Sequence, residues 1–221
     1  MVLTGILVPV LLAVGLGMYA RAGGHLEYAV VGGVVFSLLF ELMSKVASNV
    51  AFMRSQESLD LLIANGVRRS EYMVGTFAAF LVLSLPAVVI TPLASSAILG
   101  FSGTLNFFAV LLSILVGAVT FMSLGVLIGT ASKTLEQASS LASMAAVVLV
   151  ALGAVAIPAE LLPAWLVHLG YVNPAYYIAD ALRSALFHDR LDLAAVSISG
   201  GMAVVSIACA VSSMRWALRD A

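Results

Sequence analysis

Residues 107–130 read FFAVLLSILVGAVTFMSLGVLIGT, a run without one charged side chain. It matches the length of about 20 apolar residues that a helix needs to cross a bilayer. Working outward, the same kind of run recurs at about 2–20, 28–48, 72–99, 137–157 and 193–214. With short loops between them, these runs take up almost all of the 221 residues. The chain is 62% hydrophobic and 10% charged, with a mean hydropathy of +1.14. A soluble domain has about 45–50% apolar and about 25% charged residues. No soluble core of this size could hide so much apolar surface, so the bilayer must act as solvent. The expectation is an all-α membrane protein: one transmembrane domain over 1–221 with six transmembrane helices, and no soluble catalytic domain.

The run at 2–20 has two readings. Ala20-Arg21-Ala22 could pass for the cleavage site of a secretory signal. However, no Lys or Arg precedes the run, and it is long enough to span, which favours a retained span. The run at 72–99 contains Pro86 and Pro92, which kink helices but are tolerated where neighbours satisfy the freed carbonyls. With the N-terminus inside, the cytoplasmic side holds Lys45, Arg54, Arg68, Arg69, Lys133, Arg215 and Arg219. The outside holds Arg21, Arg183 and Arg190. That bias places both termini in the cytoplasm.

Several functions are excluded or disfavoured. A net charge of −1 gives no electrostatic footprint for nucleic acid. His25, His168 and His188 are scattered and Cys209 is alone, so no metal site is expected. There is no nucleophile-elbow pattern and no catalytic residue to name. No GxxxxGK[ST] loop occurs, so the chain cannot cradle ATP by itself.

Two segments carry the functional signal. The first, 54–75, reads RSQESLDLLIANGVRRSEYMVG. Ser55 can cap a helix, with Gln56 and Glu57 in its first turn. Leu59, Leu62 and Ile63 fall on one face, and Asn65-Gly66 is a helix stop. Arg68 and Arg69 belong at the membrane surface, and Ser70-Glu71 can open the next span. A helix over about 54–66 either floats at the interface or docks a cytoplasmic partner. The second segment, 158–183, reads PAELLPAWLVHLGYVNPAYYIADALR. Pro158 and Pro163 break the preceding span. Trp165, Tyr171, Tyr176 and Tyr177 suit a headgroup interface. Asn173-Pro174 forces a turn. The stretch 158–187 is expected as a re-entrant helical hairpin in the outer leaflet, or else as a surface amphipathic loop.

Polar and small residues inside the spans add detail. Glu41 and Lys45 stand at i and i+4, either as an ion pair fixing the depth of the helix or with Glu41 facing a water-filled path. Gly125 and Gly129 form a GxxxG, and Ser139 and Ser143 a small-xxx-small pair, both signals of helix contact. Gln137, Ser139, Ser140 and Ser143 make one half of their span unusually polar.

The order of these parts resembles the ABC type-2 permease family, the membrane components of drug, polysaccharide and lipid exporters. Arg54-Ser-Gln-Glu57-Ser-Leu-Asp60-Leu-Leu followed by Gly66-Val-Arg68-Arg69 is similar to that family's coupling segment. Pro158, Leu162-Pro163-Ala-Trp165, Tyr171-Val-Asn173-Pro174, Tyr176 and Ala181-Leu-Arg183 are similar to its outer hairpin. The resemblance implies a permease subunit of an exporter in the inner membrane of a prokaryote, surrounded by lipid. A separate ATPase subunit would bind ATP and Mg, and a second permease subunit would complete the complex. Coupling would fall on Arg54, Gln56, Glu57, Leu59, Asp60, Leu61, Asn65, Gly66, Arg68 and Arg69. The second and fifth spans would line the substrate path, which selects Glu41, Gln137, Ser139, Ser143 and Met144. Two other classes compete. An intramembrane enzyme needs a nucleophile–base pair or a metal cluster at depth. An ion-coupled secondary transporter needs several buried carboxylates and an internal repeat.

Overall fold

A computed structural model describes residues 26–99 and 106–213. The expected first span at 2–20, Arg21, His25, Arg215 and Arg219 lie outside the described residues. Among the described residues the chain is helical, with no strand.

The fold is organised around one long helix. Helix α1 (Leu26–Leu38) runs into a π-helical stretch (Leu39–Ser44) and on into α2 (Lys45–Ser55). The span expected at 28–48 therefore extends a further two turns. Val31, Val35, Leu38, Leu39, Leu42, Met43, Val46 and Val50 are all fully buried. These fall on one stripe, but Val30, Val34, Ser37, Glu41 and Ala47, off that stripe, are buried too, so most of the circumference is covered, as in a helix enclosed by others.

Against it stand α4 (Arg69–Leu99), α5 (Phe107–Ala131) and α6 (Leu135–Leu152), while α9 (Leu193–Ser213) packs on α5. Three short helices complete the described chain: α3 (Ser58–Ala64), α7 (Ala164–Gly170) and α8 (Pro174–Phe187), with a 3₁₀ turn at Ala159–Leu161. Among the described residues, four helical stretches are long and apolar enough to cross a membrane: Glu27–Ser55, Phe107–Ala131, Leu135–Leu152 and Leu193–Ser213. Helix α4 continues over 31 residues past both Pro86 and Pro92, so the prolines do not divide it.

Helix limits follow from local chemistry. The Asn106 side chain accepts from the Ala109 N–H at 3.0 Å and caps α5. Thr134 caps α6 by accepting from the Gln137 N–H, and the Gln137 side chain accepts in return from the Lys133 N–H. That reciprocal pair is a capping box shifted by one residue. Helix α6 stops at Leu152, five residues before the expected 157. The chain leaves the helix at Gly153, and Ala154 takes a left-handed backbone with φ +46°.

Close packing depends on small residues. A Cβ added at Gly125 would lie 2.6 Å from the Met43 carbonyl oxygen, and one at Gly129 2.6 Å from that of Ala47. The glycine face of α5 thus lies directly on the backbone of the central helix. Helix α6 reaches the same helix through Ala138, Ala142 and Ala146, all fully buried; the first two meet Ala47 and Ala51. The contact stripe of α6 is this alanine row. Ser139, in the adjacent row, is exposed, and Ser143 is half-buried. Burial of methyls outweighs burial of hydroxyls on the face that must be dry.

Candidate functional site

One end of the bundle gathers the end of α2, the short helix α3, the starts of α4 and α6, and the ends of α5 and α9. Leu59 of α3 is buried, and Leu62 is half-buried against the core. Leu61 is 65% exposed, and Gln56, Glu57, Asn65, Gly66 and Arg68 are exposed too, with Asp60 half-buried. Ser55 does not cap α3. It ends α2, and its hydroxyl donates to the Phe52 carbonyl at 2.8 Å. Glu57 holds the N-cap position in a left-handed conformation, φ +56°, with no side-chain cap bond. The far end of α3 follows the sequence signal: Asn65 donates to the Leu61 carbonyl at 2.7 Å and Gly66 turns with φ +79°. Glu71 accepts from the Arg68 N–H at 2.9 Å at the start of α4.

The arginines flanking α3 are engaged within the chain. Arg54 Nη1 donates to the carbonyls of Gly129 and Ser132, each at 3.3 Å, and to that of Thr130. Those oxygens lie at the end of α5, where carbonyls lack helical partners and carry partial negative charge. Arg69 Nη1 donates to the Val211 carbonyl near the end of α9. The Thr130 and Ser213 hydroxyls are 3.3 Å apart and link the same two helix ends.

The opposite end is closed by residues 153–187. Pro158 is buried and Pro163 precedes α7, on which Trp165 is 62% exposed. Tyr171, Tyr176 and Tyr177 pack edge to face, with ring centroids 5.7 and 5.2 Å apart along the series. Asn173 joins two helix termini. Its Oδ1 accepts from the Ala175 N–H at 2.9 Å, capping α8, and its Nδ2 donates to the Leu149 carbonyl of α6 at 2.6 Å. Pro174 occupies the first turn of α8, where a missing N–H is harmless. The buried face of α8 includes Ile178 and Leu182, and Ile178 meets Gly117 of α5. Arg183 donates to Asp180 at 3.1 Å and stacks 3.9 Å from the centre of the Tyr28 ring.

The residues read as a substrate path divide. Glu41 is 4% exposed inside the π-helical stretch and pairs with Lys45. Gln137, Ser139 and Met144 are exposed along α6, with Ser143 half-buried. Glu41 and the α6 residues do not share one surface of this chain, and Gln137 is already engaged in the α6 cap. The sequence reading passed over Thr130, Ser132 and Ser213. Nothing in their types marked them, because their partners are backbone carbonyls or lie 83 residues away. The Thr134–Gln137 box was missed as well, although Thr-x-x-Gln is a local signal that marks it. Among the described residues no three of His, Cys, Asp and Glu converge to hold a metal ion.

A bundle of long apolar helices around a buried central one, closed by capped short helices at both ends, defines an integral, multi-pass membrane protein. The sequence profile of the ABC-2 type transporter family matches residues 1–187, and the chain belongs to that family. It is a transmembrane component of an ABC-type transporter. Among curated proteins, none matches the chain.

Proposed function

We propose that this chain is the permease subunit of an exporter whose ATP is hydrolysed by a separate ATPase chain docked on α3. The observation that carries the reading is α3 itself. It is a short amphipathic helix between two long helices, seated on the bundle by Leu59 and Leu62, with Leu61 and Glu57 left exposed. The ATPase binds ATP and Mg; this chain supplies the surface that senses its closure. Six spans then comprise the run at 2–20, residues 26–55, and helices α4, α5, α6 and α9. Helix α4 at 31 residues is about 46 Å long, enough for a hydrocarbon core of about 30 Å. Both termini and α3 face the cytoplasm of a prokaryote. The segment 158–187 is the re-entrant outer hairpin: α8, at 14 residues and about 21 Å, is too short to cross.

A second permease subunit faces α6. Its exposed side carries Ser139 and Met144, with Ser143 at the edge, and a polar row beside an adaptable thioether suits lipid-like, drug or glycan substrates. Co-purification of the full chain with an ATPase subunit tests the docking reading. Replacing Glu57 and Asp60 together by lysine is expected to reduce recovery of the ATPase at least tenfold without lowering the yield of folded permease. Undiminished recovery in that variant would remove α3 from the contact.

A further inference from the structure

We infer that Arg54 and Arg69, on either side of α3, are positioning residues that lock the end of α2 and the start of α4 to the ends of α5 and α9, so that these four helix ends form one rigid cytoplasmic belt that carries α3. The inference rests on the placement of α3 as the ATPase contact, and it adds which helices must follow it. Hydrogen bonds close the belt. Arg54 holds Gly129, Thr130 and Ser132 at the end of α5. Thr130 and Ser213 then join α5 to α9, and Arg69 returns from Val211 of α9 to the start of α4. Helix α3 lies in the chain between the two arginines. Along covalent connections alone, a push on α3 would pass first to α2 and α4, its sequence neighbours. The belt extends that path from α2 and α4 to α5 and α9, which are distant in sequence and pack closely on one another. A guanidinium suits this work because its fork of fixed donors can hold several carbonyls at once, and its charge complements a helix C-terminus.

The test uses the full chain with Cys209→Ser and spin labels on Ala64→Cys and Ser212→Cys, both exposed positions. Pulsed dipolar spectroscopy on the chain alone is expected to give one narrow spacing. Arg54→Ala with Arg69→Ala should broaden it at least twofold, and Arg54→Lys with Arg69→Lys should restore most of the narrowness, because a cation still reaches the carbonyls. Thr130→Val, which leaves both arginines in place, should broaden it to a smaller extent. With the ATPase bound and trapped by ATP and vanadate, the parent spacing should not change, since both labels ride on one body. A narrow spacing in the double-alanine variant, or a nucleotide-driven change of spacing in the parent, would overturn the proposal. Failure of any ATPase to bind the parent would instead count against the docking reading, and the measurements on the chain alone would still decide the belt.

Discussion

At the scale of single residues, Asn173 does the most with one side chain. It satisfies an orphan amide of α8 and an orphan carbonyl of α6, so the two helix ends are held by one carboxamide. Loss of an N-cap costs about 1 kcal/mol, and loss of a second, buried hydrogen bond costs about 1 kcal/mol more. Asn173→Ala should therefore destabilise the folded chain by about 2 kcal/mol. Asn173→Ser keeps a capping oxygen but cannot reach Leu149, and should lose about half as much. Thermal unfolding in detergent distinguishes them, and equal losses would mean that the Leu149 bond contributes nothing. The same residue shows what the sequence could tell. Asn173-Pro174 was legible as a turn and a helix start, because both signals are local. The bond to Leu149 was not, because it depends on how the hairpin folds back against α6.

At the scale of helices, faces decide. Small residues marked α5 and α6 as packing surfaces, and for α5 the marked pair is the pair in contact. Gly129→Val should be severe. Its Cβ would fall 2.6 Å from the Ala47 carbonyl oxygen and 2.8 Å from the Val50 Cβ, and overpacking costs about 1–3 kcal/mol even where some relaxation is possible. For α6 the serine motif pointed one residue away from the true contact row. A pattern of small residues does not say which of two adjacent small rows is dry, and here both rows satisfy it. Ala142→Leu should accordingly impair folding, whereas Ser139→Leu should leave yield and melting temperature within error of the parent. The reverse order would turn the helix by one position. Ser143→Trp tests the proposed path on the same helix: export by the assembled complex should fall at least tenfold with ATPase recovery unchanged. Export at the parental rate would close that face to substrate.

At the scale of the whole molecule, the two ends of the bundle should lie on opposite sides of the membrane. Cysteines at Glu160 and His188, each in a Cys209→Ser background, should both react with an impermeant maleimide from outside intact cells. A cysteine at Leu61 should react only after the cells are opened. Labelling of Glu160 and His188 from different sides would mean that α8 crosses. The long helices among the described residues, and the breaks between them at 54–75 and 158–183, were legible from composition and local signals, because bilayer thickness and helix caps act on short stretches. The interior ion pair was legible too, but not the winding of the helix that carries it, since Leu39–Ser44 contains no residue that demands a π turn. That turn sets the phase between two halves of the protein. Each residue of an α-helix advances about 100° and 1.5 Å. A π-helical stretch advances less per residue, and over six residues it holds about one residue more than α winding needs for the same rotation. Removing one residue between Leu39 and Ser44 would let the stretch relax to ordinary winding with everything from Lys45 onward in nearly its present phase. Val46 and Val50 would still face the glycines of α5, and Arg54 the carbonyls it now holds. Deletion of Phe40 should therefore keep most of the folded yield, whereas deletion of Val34, where the winding is already α-helical, should abolish it. A length change of one residue, ruinous a turn earlier, is here slack that the helix can take up.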